Sequence, residues 1–298
     1  MGRRSRWLLL GSIAALVVAV AALVLVRSDD DGPAARTGTT ESSSSSATTS
    51  RPSTTGPSTT APSVTTRPPP TTAPPATTQP PPTTAPAWIG VAEVIRQGPT
   101  SRPVVALTFD AGSDVGYAAA ILDVLAANGI KASFGLTGDW TVEHPELVAR
   151  MAREGHQLIN HTWSHPSFTG FSTGTAPLPT AERLAQLARA EAAIVDAAGV
   201  PAKPWFRPPY GDIDQSVLVD VGSAGYRYVA MWTVDSLGWK GLTAAEITAR
   251  CLDGAEPGAI YLFHVGSASA DHAALQAIID GLRARGYGFA TLAGLIGA

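Results

Sequence analysis

One cysteine, Cys251, stands among 298 residues, which excludes an internal disulfide framework and a thiolate metal cluster. Its neighbours Ala249, Arg250 and Leu252 read as helix, where a small packed residue is expected; a nucleophile would need a basic group held against the sulfur. Positive charge is also short. Lys and Arg number 21 against 24 Asp and Glu, a net of -3. No basic patch alternates with aromatic residues, so nucleic acid is not an expected partner. No glycine-rich turn of the dinucleotide-binding kind follows the first strand-like run, which weighs against an open doubly wound sheet.

Charge is nearly missing from two N-terminal stretches, and the two absences differ in meaning. From Trp7 to Val26 the chain is apolar without a charged residue, preceded by Arg3, Arg4 and Arg6. At 1.5 Å per residue about 20 residues span about 30 Å, the hydrocarbon thickness of a bilayer. The arginines are expected to stay in the cytoplasm and the remainder to lie outside. A cleaved signal peptide competes with this reading and would leave the protein secreted. The span length and the lack of a small-x-small cleavage site favour an uncleaved anchor over residues 1–31, hence a cell-membrane location. Residues 32–87 are almost entirely Thr, Ser, Pro, Ala and Gly, with charge only at Arg36, Glu41, Arg51 and Arg67. Such a stretch cannot bury apolar surface and is expected to be a disordered linker. Fully extended at about 3.1 Å per residue it reaches on the order of 170 Å.

The folding capacity lies in residues 88–298, enough for one substantial core. Strand-like runs are expected at Pro103–Phe109, Ala132–Leu136, Gln157–Asn160, Pro204–Phe206, Tyr226–Trp232, Ile260–Phe263 and Gly288–Leu292. Helical stretches alternate with them, one opened by a Thr243-Ala-Ala-Glu246 capping box. Repeated alternation of this kind makes a parallel sheet covered by helices, and about seven units favour a closed or nearly closed α/β barrel. In such a barrel the loops at the C-terminal ends of the strands build the site. Asp110, His161, His165, Arg207, Asp235 and His264 all fall at such ends. Random placement would scatter them over both faces.

His161-Thr-Trp-Ser-His165 sets two imidazoles at i and i+4, which share a face on a helical turn and suit zinc or another late first-row ion. His144, His156 and His272 are read as capping or surface residues. Trp163, between the paired histidines, is the aromatic best placed for a groove wall.

Five ordered motifs now stand out: Thr108-Phe-Asp-Ala-Gly112, Asn160-His-Thr-Trp-Ser-His165, Arg207-Pro-Pro-Tyr-Gly211, Asp235-Ser-Leu-Gly-Trp239 and Ile260-Tyr-Leu-Phe-His264. Together they resemble the polysaccharide deacetylase family (NodB-homology domain, carbohydrate esterase family four) from about Val104 to Leu292. The resemblance implies a distorted (β/α) barrel that hydrolyses acetyl groups on chitin-like or peptidoglycan-like glycans. It implies Asp110 as general base, Arg207 as its partner, and His161 and His165 as ligands of a divalent metal ion such as Zn2+. It implies His264 as general acid with Asp235 supporting its imidazole, the Tyr210 amide as oxyanion donor, and Trp239 and Leu262 around the acetyl methyl. One position departs from the pattern. A second aspartate, a metal ligand in the family, is replaced by Ala111; Asp114 in the same loop is the candidate to substitute, with Asp110 itself or water as the alternatives. The expected substrate is an acetylated cell-wall glycan, met by a monomer. A catalytically silent glycan-binding module is the alternative that Ala111 supports. A hydrolase of small non-sugar amides fits the anchor and linker less well.

Overall fold

The computed structural model describes Trp88 and residues 90–298; the apolar run Trp7–Val26 and the stretch 32–87, with the expectations placed on them, lie outside the described residues. Among the described residues no helix is long and apolar enough to cross a membrane.

The chain runs β1 (Glu93–Ile95), β2 (Val104–Ala111), α1 (Ala118–Ala127), β3 (Ser133–Leu136), α2 (Gly138–Glu143), α3 (Pro145–Arg153) and β4 (Gln157–Asn160). It continues through α4 (Thr180–Ala198), β5 (Trp205–Phe206), α5 (Gln215–Ser223), β6 (Tyr228–Ala230), β7 (Val234–Asp235) and α6 (Ala244–Asp253). The last elements are β8 (Ile260–His264), α7 (Asp271–Ala284), β9 (Gly288–Ala290) and α8 (Leu292–Ile296). Local chemistry sets several of these limits. Pro145 opens α3 at a position where its missing N–H goes unneeded. Gly199 ends α4 in the left-handed conformation. The Thr243–Glu246 capping box forms as expected.

Nine strands make one parallel sheet in the order β1-β6-β5-β4-β3-β2-β8-β7, with β9 paired to the start of β2. The expected closed or nearly closed barrel of about seven strands is met in its parallel α/β build and corrected in strand number and closure. The sheet curls but stays open, with β1 and β7 at its edges. The strands not foreseen, β1 and β7, are three and two residues long, too short to show a period. The predicted final strand stops at Ala290, and Thr291 caps the short helix α8 instead.

Alternation along β2 decides what the sheet does. Val105, Leu107, Phe109 and Ala111 face the helices, in one apolar layer with Phe134 and Phe263. The ring of Phe109 lies 5.3 Å from each of those two, and replacing such a ring by Ala costs about 3–5 kcal/mol. The opposite, concave face is apolar at one end only. Ala106, Ile159, Trp205, Ala230 and Ile260 there pack on Leu292 and Leu295 of α8. Two residues further along the same strands, period two brings Thr108, His161, Arg207 and Leu262 to the concave face, and two further still Asp110 and His264. The helix plug at one end thus leaves the other end as a polar mouth.

Candidate active site

Asp110 and His264 are Cα partners in the β2–β8 ladder, so base and acid candidates stand on neighbouring strands roughly 4.8 Å apart. On the other side Asp110 pairs with Gly135 of β3. A Cβ at Gly135 would run into Asp110 Oδ1 and sit 3.8 Å from the His161 Cβ. The glycine is therefore the gap through which carboxylate and imidazole meet across β3. Sequence reasoning missed it; a glycine inside a strand pattern was the available signal.

Arg207 is fully buried. Its Nη1 donates to Asp110 Oδ1 at 2.8 Å and its Nε to the Ala230 carbonyl at 3.1 Å. Burial alone would raise the Asp110 carboxyl, but Arg207, His161 and His264 outweigh it and hold the group below the usual carboxylate range. The second oxygen, Oδ2, lies 3.5 Å from His161 Nε2. At the other nitrogen, His161 Nδ1 meets the Arg207 carbonyl at 2.8 Å. A carbonyl only accepts, so Nδ1 carries the proton and Nε2 presents its lone pair to the mouth.

The two metal-ligand candidates are brought together, but not on a helical turn. Residues 161–165 form a loop in which Thr162 and His165 take φ of 70° and 60°. The rings meet edge to face with centroids 4.8 Å apart. Asn160 anchors this loop: its Oδ1 accepts the Thr162 N–H, and its Nδ2 donates to the Leu187 carbonyl and the Tyr226 hydroxyl. Burial lowers both imidazoles, His165 to about 3 with His161 adding to the effect. Both are thus neutral at physiological pH, the state a metal requires. The left-handed non-glycine residues of the described chain are Thr162, His165, Tyr210 and Leu237, each in a loop after β4, β5 or β7. Each costs about 1 kcal/mol or more, and such strain gathers at functional sites.

Several expected roles are placed differently. Asp114 does not reach the histidines. Its oxygens accept the N–H and Oγ of Ser267 at 2.8 and 2.5 Å, tying the β2 loop to the β8 loop. Ala111 leaves no hole beside the imidazoles, because its methyl faces the helix-covered layer. Asp235 does not pair with His264; its Oδ1 accepts the Leu237 N–H at 2.9 Å and Trp239 Nε1 at 3.4 Å. It sits opposite Leu262, two residues short of His264. Trp163 is no open wall, since the Arg189 guanidinium lies 3.9 Å above its ring and the ring edge rests on Gly138. Tyr210 and Trp239 are about half exposed at the rim, and the Tyr210 ring lies 4.8 Å from that of His165. Leu262 is buried on the concave face. His156, expected as a cap or surface residue, is buried with Nδ1 accepting the Ala132 N–H at 3.0 Å. Cys251 is buried in α6 and its thiol is pushed up to about 12 by burial, with Asp271 adding to the effect. Among the described residues no group of three or more His, Cys, Asp or Glu is arranged to hold a metal ion.

A half-barrel whose C-terminal mouth joins a buried carboxylate–guanidinium pair to two neutral imidazoles and a third histidine defines a hydrolase class, and comparison places the chain within it. A family model for polysaccharide deacetylase matches residues 97–229. A peptidoglycan-N-acetylglucosamine deacetylase of Bacillus cereus is 34% identical over 209 residues, 69% of this chain and 73% of that protein. The crystal structure of the Bc1960 peptidoglycan N-acetylglucosamine deacetylase superposes with a TM-score of 0.63 at 33% identity, covering 69% of this chain and 93% of that one. A pseudoenzyme of carbohydrate esterase family four from Bacillus anthracis superposes with a TM-score of 0.62 at 27% identity, covering 68% of each chain. The chain belongs to the polysaccharide deacetylase family, carbohydrate esterase family four.

Proposed function

We propose that this protein hydrolyses the N-acetyl group of N-acetylglucosamine-type sugars in peptidoglycan, as an enzyme dependent on a divalent metal ion. The observation that carries the reading is the buried Asp110–Arg207 pair with His264 on the adjoining strand. It supplies a carboxylate kept anionic beside a second titratable group on the far side of a substrate carbonyl. Asp110 takes the proton of an attacking water, whose oxygen adds to the acetyl carbon. Tyr210 offers its backbone N–H to the developing oxyanion. His264 gives a proton to the sugar nitrogen as the C–N bond breaks, leaving acetate and a free amine. Leu262 and Trp239 flank the methyl. The donor set fits a late first-row ion such as Zn2+ in part: His161 and His165 are neutral and adjacent, and remaining positions would fall to water or substrate. Such an ion, when bound, would polarise the acetyl carbonyl and acidify the water. We further propose that the protein acts as a monomer, held at the outer face of a membrane by Trp7–Val26.

The second reading is a glycan-binding module. Its support is that no group of three metal-holding donors stands among the described residues, together with the likeness to a pseudoenzyme. Acetate release by the full chain from N-acetylglucosamine oligomers and peptidoglycan decides between them, after chelation and return of single divalent metals. Metal-restored release that vanishes in Asp110→Asn and His264→Gln is expected. Glycan binding without release under every metal would establish the module.

A further inference from the structure

His161 and His165 stand on one loop, and helix α4 reaches across to it with the side chain of Gln186. Its Oε1 accepts the backbone N–H of Trp163 at 2.8 Å and that of Ser164 at 2.9 Å. Two N–H donors converging on one atom identify it as the amide oxygen. The other end of the amide, Nε2, donates to Ser164 Oγ at 3.0 Å. The flanking N–H groups are held nearer to hand, that of Thr162 by Asn160 Oδ1 at 2.9 Å and that of His165 by Thr162 Oγ1 at 3.1 Å. The His161 N–H meets the Leu136 carbonyl at 3.0 Å. Every backbone donor from His161 to His165 is therefore engaged, and Gln186 serves the two in the middle.

The helix behind this side chain is itself fixed. Leu187 is buried, and its carbonyl accepts from Asn160 Nδ2 at 2.9 Å. Gln186 and Arg189, three residues apart, share one face of α4. The first takes the loop's backbone, and the second lays its guanidinium 3.9 Å over the Trp163 ring. Stability alone does not call for Gln186. Its side chain is half-buried and Ser164 is exposed, so water can satisfy the same N–H groups at little cost. Water does not hold them to one point. Successive N–H groups converge on a single oxygen only in a tight turn, here the one between left-handed Thr162 and His165. That turn sets where the His165 ring stands against the ring of His161.

We propose that Gln186 is the positioning residue of His165: by capturing two consecutive N–H groups it holds the loop in the turn that brings both imidazoles to one ion. The inference rests on the metal-dependent reading of the site, and it places Gln186 on the backbone that carries the ligand rather than on the ligand ring.

Two measurements on the full chain test it. Zn2+ affinity, read by competition with a chromophoric chelator, needs no turnover. Gln186→Leu fills similar space without a polar atom and should weaken Zn2+ binding on the order of tenfold, the low end for outer partners of a metal site. Gln186→Glu should stay within about threefold of the wild type, since a carboxylate accepts from both N–H groups while the Ser164 hydroxyl turns from acceptor to donor. Unchanged affinity in Gln186→Leu, or a folded Gln186→Glu as weak as Gln186→Leu, overturns the proposal. The second measurement is amide hydrogen exchange of the metal-free chain. Exchange at Trp163 and Ser164 that quickens in Gln186→Leu but not in Gln186→Glu, with the urea midpoint little changed, is expected. Equal exchange at both amides in the wild type and Gln186→Leu refutes the assignment. A wild-type chain that binds no Zn2+ sinks the metal-dependent reading alone, and the exchange rates still decide whether Gln186 holds the loop.

Discussion

Replacing Arg207 by Met removes a charge from the most enclosed ion pair among the described residues while filling much of its volume. The guanidinium is 0% exposed and Asp110 7%, so water cannot take over when the 2.8 Å contact is lost. A buried charge left without its partner costs about 3–5 kcal/mol, a large share of the ~5–15 kcal/mol that stabilises a domain. The pH dependence supplies the sign. In the wild type the Asp110 carboxyl is depressed, so its contribution is complete above the unfolded value of about 3.9 and fades only as pH falls below it. In Arg207→Met burial dominates and the carboxyl rises above that value. The variant then regains stability as pH falls and the acid takes up a proton. Urea unfolding followed by tryptophan fluorescence should give a gap between wild type and variant that is widest near neutrality and narrows toward pH 4.5. A gap under about 1 kcal/mol, or one that widens on acidification, would refute the claim that Arg207 compensates a buried carboxylate.

Two further outcomes follow from the same geometry. Asp114→Asn should leave metal-restored acetate release within about twofold of the wild type, because an exposed side chain tied to Ser267 rather than to the histidines contributes surface-scale energy; a strong rise in the metal concentration needed would return Asp114 to the ligand set. Trp239→Ala should raise KM for oligomers with kcat nearly constant, as expected for a half-exposed rim aromatic that binds ground and transition states alike, and a fall confined to kcat would contradict that.

Much of the mouth was legible because strand period and motif order agree. Asp110, His161, Arg207 and His264 each close or follow a strand, and parallel strands deliver their C-terminal ends to one side. What escaped depends on contacts that no local pattern carries. Motif order sets Asp235 in support of His264, and only the backbone turn that follows β7 sends that carboxylate to the Leu237 N–H instead. The helical reading of His161 and His165 failed because the loop turns through left-handed Thr162 and His165, residue types that announce no such bend. Helix α2 went unread because six residues from Gly138 to Glu143 hold too little periodicity, although Thr137 caps it with its hydroxyl.

The pairing of Asp110 with His264 on one rung of the β2–β8 ladder has an evolutionary reach. Proton donor and acceptor are spaced by peptide geometry, so drift in the surrounding loops cannot pull them apart. The rim loop after β7, which carries Trp239, is free to be exchanged. A change of glycan can therefore be acquired by loop replacement alone, with the chemical step inherited intact.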